Sequence, residues 1–252
     1  MKQIAEREST PTSTCQAKYE CSKCRDTKVV AVTDADGTKR YVQCEECYMR
    51  QLRQIKQEQI NRLFQSANIP KRFANKTFDN FDYRRQPNAF AICKKYAMEF
   101  AKLREEGKSL LLVGPVGTGK SHLAFAILNE LIRTGIPGMA VTVPDLMDEL
   151  RPKNSGDSEN DEKMRVLKTI DFLVLDDLGA QRNSDWVTER LFVILNSRYA
   201  HMLPTVITSN NYLEELEGIP GWWRIVDRLI EMCDIIEFHG ASYREQARNR
   251  NI

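Results

Sequence analysis

Three groups of residues in this chain have types and spacings that could do chemistry. The first is Gly114-Pro115-Val116-Gly117-Thr118-Gly119-Lys120-Ser121, which fits G-x-x-x-x-G-K-[ST], the phosphate-binding P-loop. Glycines let the backbone wrap a phosphate in conformations that a side chain forbids. The N–H groups of the loop and of the following helix then face the anion. Lys120 supplies a cation for the β- and γ-phosphates of ATP, and the Ser121 hydroxyl is a ligand type for Mg²⁺. The second group is Asp176-Asp177, at the end of the apolar run Ile170-Asp171-Phe172-Leu173-Val174-Leu175. A buried strand ending in two carboxylates is the Walker B pattern. Asp176 is the expected Mg²⁺ carboxylate and Asp177 is placed to polarise an attacking water. The third group is Cys21-x-x-Cys24 and Cys44-x-x-Cys47, separated by nineteen residues. Two such turns present four thiolates to one tetrahedral cation, so a closed structural zinc site is expected. All three histidines lie outside this stretch, which favours four cysteines as the ligands. Cys15 is the remaining alternative ligand.

The elements that must position these residues follow from hydrophobic patterning. Leu110–Val113 is a buried strand entering the P-loop, and His122–Ile132 has helical periodicity leaving it. Further strands are expected at 138–144, 170–177, 204–210 and 234–238, with helices between them. This is an α/β core on a five-stranded parallel sheet. Asp145 is the expected N-cap of a helix through Leu150, and the polar stretch 151–163 is expected to be a mobile surface loop. Asn210, at a strand end, is a candidate for orienting water or sensing the γ-phosphate; a turn asparagine is the alternative. Arg224 and Arg228 share one helix face, as solvated arginines commonly do.

Upstream of the core, Val29–Val32 and Arg40–Val42 are expected to pair as a hairpin around Gly37. A helix from Tyr48 to Phe64 follows, either a linker, a partner-docking helix or a basic surface near nucleic acid. Residues 1–66 thus form a metal module with a linker helix, and 67–252 the ATPase core. One helix is expected from Asn88 to Glu106, ended by Gly107. Phe78 and Phe81 in the junction suit either the nucleotide base or plain core. Cys93 and Cys233 are expected as small core residues.

The chain has 252 residues and a net charge of +2, enough for one α/β domain and a small appendage. It is not globally basic. No apolar run approaches the length of a membrane helix and the N-terminus has no signal-peptide core, so a cytoplasmic location without membrane contact is expected.

Taken in order, GPVGTGKSHLA, FLVLDDLGA, the segment Trp186 to Tyr199, LPTVITSN and RIVDRL resemble the bacterial helicase loaders of the DnaC/DnaI type in the AAA+ superfamily. The resemblance covers roughly residues 66–246, and the metal module in outline. It implies an ATP-dependent protein that binds a hexameric replicative helicase through its N-terminal module and places it on single-stranded DNA. It also implies that Asn210 is sensor 1, and that Arg228 is an arginine finger reaching a neighbouring subunit's ATP, supported by Arg224. Self-association through the ATP site follows from that. Asp177 stands where many AAA+ proteins have Glu, and the chain leaves no room for a helical lid, so slow or partner-stimulated hydrolysis is expected. An IstB-like transposition ATPase has a very similar core but is expected to lack the four cysteines. A zinc-dependent nucleic-acid-binding regulator with structural ATP is a third reading, opposed by Asp176, Asp177 and Arg228.

Overall fold

The computed structural model describes residues 20–151 and 158–243. Cys15, residues 152–157 and the tail arginines Arg244, Arg248 and Arg250 lie outside the described residues. The chain divides into two compact units, residues 1–57 and 58–252.

In the first unit, β1 (Val29–Thr33) and β2 (Lys39–Gln43) pair antiparallel, Val29 opposite Gln43 and Thr33 opposite Lys39. The turn between them closes through the Gly37 N–H donating to the Asp34 carbonyl, with Gly37 at φ +86°. Helix α1 runs Glu45–Ser66, longer at both ends than its apolar pattern predicts, and the division between units falls within it. It starts directly behind Cys44, so Cys47 lies on its first turn.

In the second unit, β3 (Ser109–Val113), β4 (Gly138–Thr142), β5 (Phe172–Leu178), β6 (Thr205–Ser209) and β7 (Cys233–Glu237) form a five-stranded sheet. Its order is β4-β5-β6-β3-β7 and every pairing is parallel, as the strand pattern predicts. Strand side chains alternate between faces. Leu110, Leu112, Phe172, Val174 and Val206 therefore pack into one core, and Leu111, Val113, Leu173, Leu175 and Ile207 into another. The first core is covered by α2 (Pro87–Met98), α3 (Phe100–Glu105) and α4 (Lys120–Thr134). The second is covered by α5 (Val143–Leu150), α6 (Ser158–Thr169), α7 (Asp185–Ala200), the short α8 (Leu213–Glu217) and α9 (Trp223–Met232). Cys93 and Cys233 are buried among apolar neighbours, and burial pushes both thiols up, Cys93 to about 12.

Three local expectations need correction. The cap of α5 is Thr142, whose Oγ1 accepts the Asp145 N–H, so Asp145 sits inside the first turn where its charge suits the helix N-terminus. The helix expected over 88–106 is broken at Glu99, which leaves the helical region at φ −98°, ψ 12°. The polar stretch 151–163 is not wholly loop. Helix α6 begins at Ser158 and is held by Met164 and Leu167, which are buried one turn apart just beyond the stretch.

Far from the strands' carboxyl ends, Arg198 of α7 is completely buried. Its guanidinium donates to the Leu167, Ile170 and Pro204 carbonyls and to Thr205 Oγ1, tying α6, α7 and β6 together. Burial draws its pKa down to about 9.

Candidate nucleotide site and metal centre

The P-loop joins the carboxyl end of β3 to the N-terminus of α4. Gly114, Gly117 and Gly119 all have positive φ, at 131°, 78° and 109°. A Cβ on Gly114 would lie 2.2 Å from the Phe238 carbonyl oxygen, and one on Gly119 would lie 2.7 Å from the Phe81 ring. Both the dihedral and the space therefore require glycine. Thr118 Oγ1 donates to the Pro115 carbonyl at 2.8 Å, and Val116 is exposed at the tip. Lys120 is 4 % exposed, and its Nζ donates to the Gly114 and Pro115 carbonyls at 2.6 and 2.8 Å. These two bonds hold the buried ammonium at the loop's own rim.

Asp176 and Asp177 stand at a register shift between β5 and β6, bracketed by Leu175 and Leu178. The irregularity puts Asp177 at φ +59° and turns successive carboxylates to the same end of the sheet. Thr208 of β6 holds both acids. Its hydroxyl donates to Asp176 Oδ1 at 2.7 Å and accepts the Asp177 N–H at 3.0 Å. The Ser121 hydroxyl also bonds Asp176, and Lys120 lies within electrostatic reach. Asp176 is 2 % exposed, and burial raises its pKa above the ordinary carboxylate value, against the Thr208 and Ser121 hydrogen bonds. Such a carboxylate gains most from a cation, and the adjacent Ser121 hydroxyl completes a donor set of the kind Mg²⁺ takes. Asn210 Nδ2 donates to Asp177 Oδ1 at 3.2 Å. The fold thus gathers Lys120, Ser121, Asp176, Asp177 and Asn210 at one end of the sheet.

A brace that the sequence did not reveal closes over the loop from behind. The Tyr243 N–H donates to the Gly117 carbonyl at 2.9 Å, and Tyr243 Oη donates to the Asp82 carbonyl at 3.0 Å. The Arg85 guanidinium lies 4.0 Å from the Tyr243 ring centre, and Gln86 Nε2 donates to the His239 carbonyl. Phe81 is buried edge-on against His122, at 5.1 Å between ring centres. Burial draws the His122 imidazole down, toward the neutral form that suits an aromatic neighbour.

Arg224 and Arg228 are anchored on a different set of residues, across α7 and α9. Arg228 Nε donates to Asn196 Oδ1 at 3.1 Å, its Nη1 reaches Asp227 at 2.7 Å and Glu231 at 3.8 Å, and its guanidinium lies 4.8 Å from the Tyr199 ring. Tyr199 in turn hydrogen-bonds Glu231. Arg224 lies 4.6 Å from the Phe192 ring.

In the first unit the sulfurs of Cys21, Cys24, Cys44 and Cys47 all lie within 4.8 Å of one another. Cys21 and Cys44 are 3.8 Å apart, and Cys24 and Cys47 3.4 Å. Four thiolates at tetrahedral Zn–S distance would be separated by about 3.8 Å. The donor set therefore fits zinc. Arg25, Asp26 and Lys28 have positive φ around the first turn, and Asp26 Oδ1 accepts the Cys21 N–H at 2.9 Å. Such crowded sulfurs resist ionising together. Contact with Cys24 pushes Cys47 up to about 12, while Cys24, against the upward push of its burial, is drawn down to about 7 by Cys47, Cys21 and the backbone at Lys28. A divalent cation relieves that conflict.

Residues 31–251 match the model of the family described as IstB-like ATP binding protein. The chain is 32 % identical over 176 residues to the replicative helicase loader DnaC of Escherichia coli (strain K12), covering 68 % of this chain and 69 % of that protein. It belongs to the IstB/DnaC family. It is also 35 % identical over 173 residues to the replicative helicase loader DnaI of Bacillus subtilis (strain 168), covering 67 % of this chain and 54 % of that one. The crystal structure of the DnaC helicase loader superimposes with a TM-score of 0.60 at 30 % identity, over 68 % of this chain and all of that one. As an IstB/DnaC-family protein the chain is an ATPase. Among the described residues no helix is long and apolar enough to cross a membrane.

Sequence reasoning did not find Thr208, Asn196 or Tyr199 as partners of the site residues. Thr208 carried one usable signal. It is a hydroxyl residue inside the apolar strand pattern of 204–210, two residues before Asn210.

Proposed function

We propose that this IstB/DnaC-family ATPase is a loader that binds the hexameric replicative DNA helicase and delivers it to single-stranded DNA during replication initiation, in the cytoplasm. The observation that carries the reading is its homology to replicative helicase loaders together with a four-cysteine cluster in the same chain. Lys120 and the loop N–H groups hold the ATP phosphates. Ser121 and Asp176 hold Mg²⁺, which when bound offsets the charge developing on the phosphates. Asp177 accepts the proton of the attacking water, and Asn210, bonded to Asp177, orients that water. Arg228, supported by Arg224, completes the site of a neighbouring copy. An arginine finger supplied by a neighbour is worth roughly three to five orders of magnitude in rate, so turnover is slow until copies assemble. Cys21, Cys24, Cys44 and Cys47 hold zinc, and the module of residues 1–66 docks the helicase while 67–252 is the ATPase core. ATP binding and hydrolysis switch the chain between holding and releasing its cargo.

A second reading, an IstB-like transposition ATPase, is favoured by the matching family description. The two separate in a loading assay on single-stranded DNA coated with its binding protein. A loader makes unwinding by a cognate replicative helicase depend on ATP and on Lys120. No stimulation by the wild-type chain would favour the transposition reading.

A further inference from the structure

Asp177 is held in a conformation that side chains rarely adopt. Its φ of +59° lies in the left-handed region, which a residue other than glycine keeps only where its surroundings over-determine it. Thr208 Oγ1 accepts the Asp177 N–H, and the Ala180 N–H donates to the Asp177 carbonyl at 3.2 Å. Ser209 Oγ donates to the Leu178 carbonyl at 2.7 Å and accepts the Asn211 N–H at 3.1 Å. The turn continues through Gly179, at φ +92°, whose N–H donates to Gln181 Oε1 at 3.0 Å. Gln181 is 8 % exposed, and its Nε2 is buried without a partner among the described residues. A buried donor left unpaired is costly, and leucine or methionine would fill the same space without it. Packing therefore does not account for a glutamine here; the bond its carbonyl accepts from Gly179 does.

We infer that Gln181 is a positioning residue for ATP hydrolysis: by accepting the Gly179 N–H it fixes the turn that keeps the Asp177 carboxylate on Asn210. The inference rests on the reading of Asp177 as the group that accepts the proton of the attacking water. Gln181 acts through the backbone just beyond the acid, not on the reacting atoms. Thr208 holds the turn where it leaves the strand, and Gln181 holds its far end, so the left-handed acid is fixed from both sides. A turn free at one end could relax Asp177 toward an ordinary backbone conformation and swing its carboxylate off Asn210.

Full-length Gln181→Met, close to glutamine in length and volume, tests this beside Asp177→Asn and the double variant. Turnover at saturating ATP should fall about fivefold in Gln181→Met, the effect of one neutral hydrogen bond, with ATP affinity unchanged. In the Asp177→Asn background the same substitution should change nothing further, because a residue acting only through Asp177 has no effect once that carboxylate is gone. The wild-type chain gives an independent readout. Its Gly179 amide should exchange with solvent at least about tenfold more slowly than an unbonded loop amide. If Asp177→Asn turns over like wild type, the reading of Asp177 fails and the inference falls with it. If Asp177→Asn is slow, three results overturn the positioning inference alone: a harmless Gln181→Met, the same fivefold cost in both backgrounds, or an equal loss of ATP affinity. Free exchange at Gly179 overturns it as well, even where Gln181→Met fails to fold.

Discussion

A single hydroxyl holds the two acids of the nucleotide site. Thr208 gives one hydrogen bond to the Asp176 carboxylate and takes one from the Asp177 backbone. A hydrogen bond to a charged group contributes about 1.5–3 kcal/mol. Thr208→Val keeps the shape and removes both bonds. Turnover should fall at least about tenfold with ATP affinity nearly unchanged, since each factor of ten is about 1.4 kcal/mol of barrier; unaltered turnover would show that the acids need no such tether. Asp176 gives a second prediction at this scale. Its folded pKa is raised, chiefly by burial, so the native state favours the protonated acid. That preference stabilises the fold below the ordinary carboxylate value and is lost as pH rises through the raised one. At pH 7, without metal or nucleotide, Asp176→Asn should therefore melt higher than wild type. One kcal/mol corresponds to about 2–4 °C in a domain of this size. The gain should shrink as the pH falls toward the carboxylate range, and a constant difference would mean that charge is not its cause.

At the scale of elements, the P-loop was legible because its requirement is local. Glycines at fixed offsets supply the positive φ that the loop adopts, whatever surrounds it. The metal cluster was legible for the same reason, since two C-x-x-C turns and a hairpin of suitable length determine the meeting of four sulfurs. What stayed hidden depends on neighbours. The cap of α5 fell to Thr142 because Val143-Pro144 already turns into the helix, three residues from an equally suitable Asp145. Helix α6 was masked by its polar first turns, its anchors Met164 and Leu167 lying just beyond them. The brace of Phe81, Asp82 and Tyr243 joins segments far apart in the chain, and no spacing rule connects them. The first unit has Cys21, Cys24 and Cys44 as its buried cluster, with little apolar core beside them. Chelation, or Cys44→Ser, should therefore abolish the order of β1 and β2, seen as lost amide protection from hydrogen exchange over 29–43. ATP binding should persist. Retained protection after chelation would mean that the hairpin does not depend on metal.

For the whole molecule, the proposed division of labour puts the phosphate cation and its acids at one end of the sheet and the completing arginine on α9, bonded to Asn196. Arg228→Ala should bind ATP normally, and its turnover per chain should stay low as concentration rises, where wild-type turnover climbs. Weakened ATP binding would assign Arg228 to its own chain's nucleotide instead. The loader reading asks one thing more, that the chain hold a helicase. The most direct measurement is capture of a cognate hexameric replicative helicase by tagged full-length protein, with and without ATP, scored by co-elution. Wild type and Arg228→Ala should capture the helicase, and Cys44→Ser should lose capture while still binding ATP. Absence of capture by the wild-type chain in either nucleotide condition would contradict the loader reading.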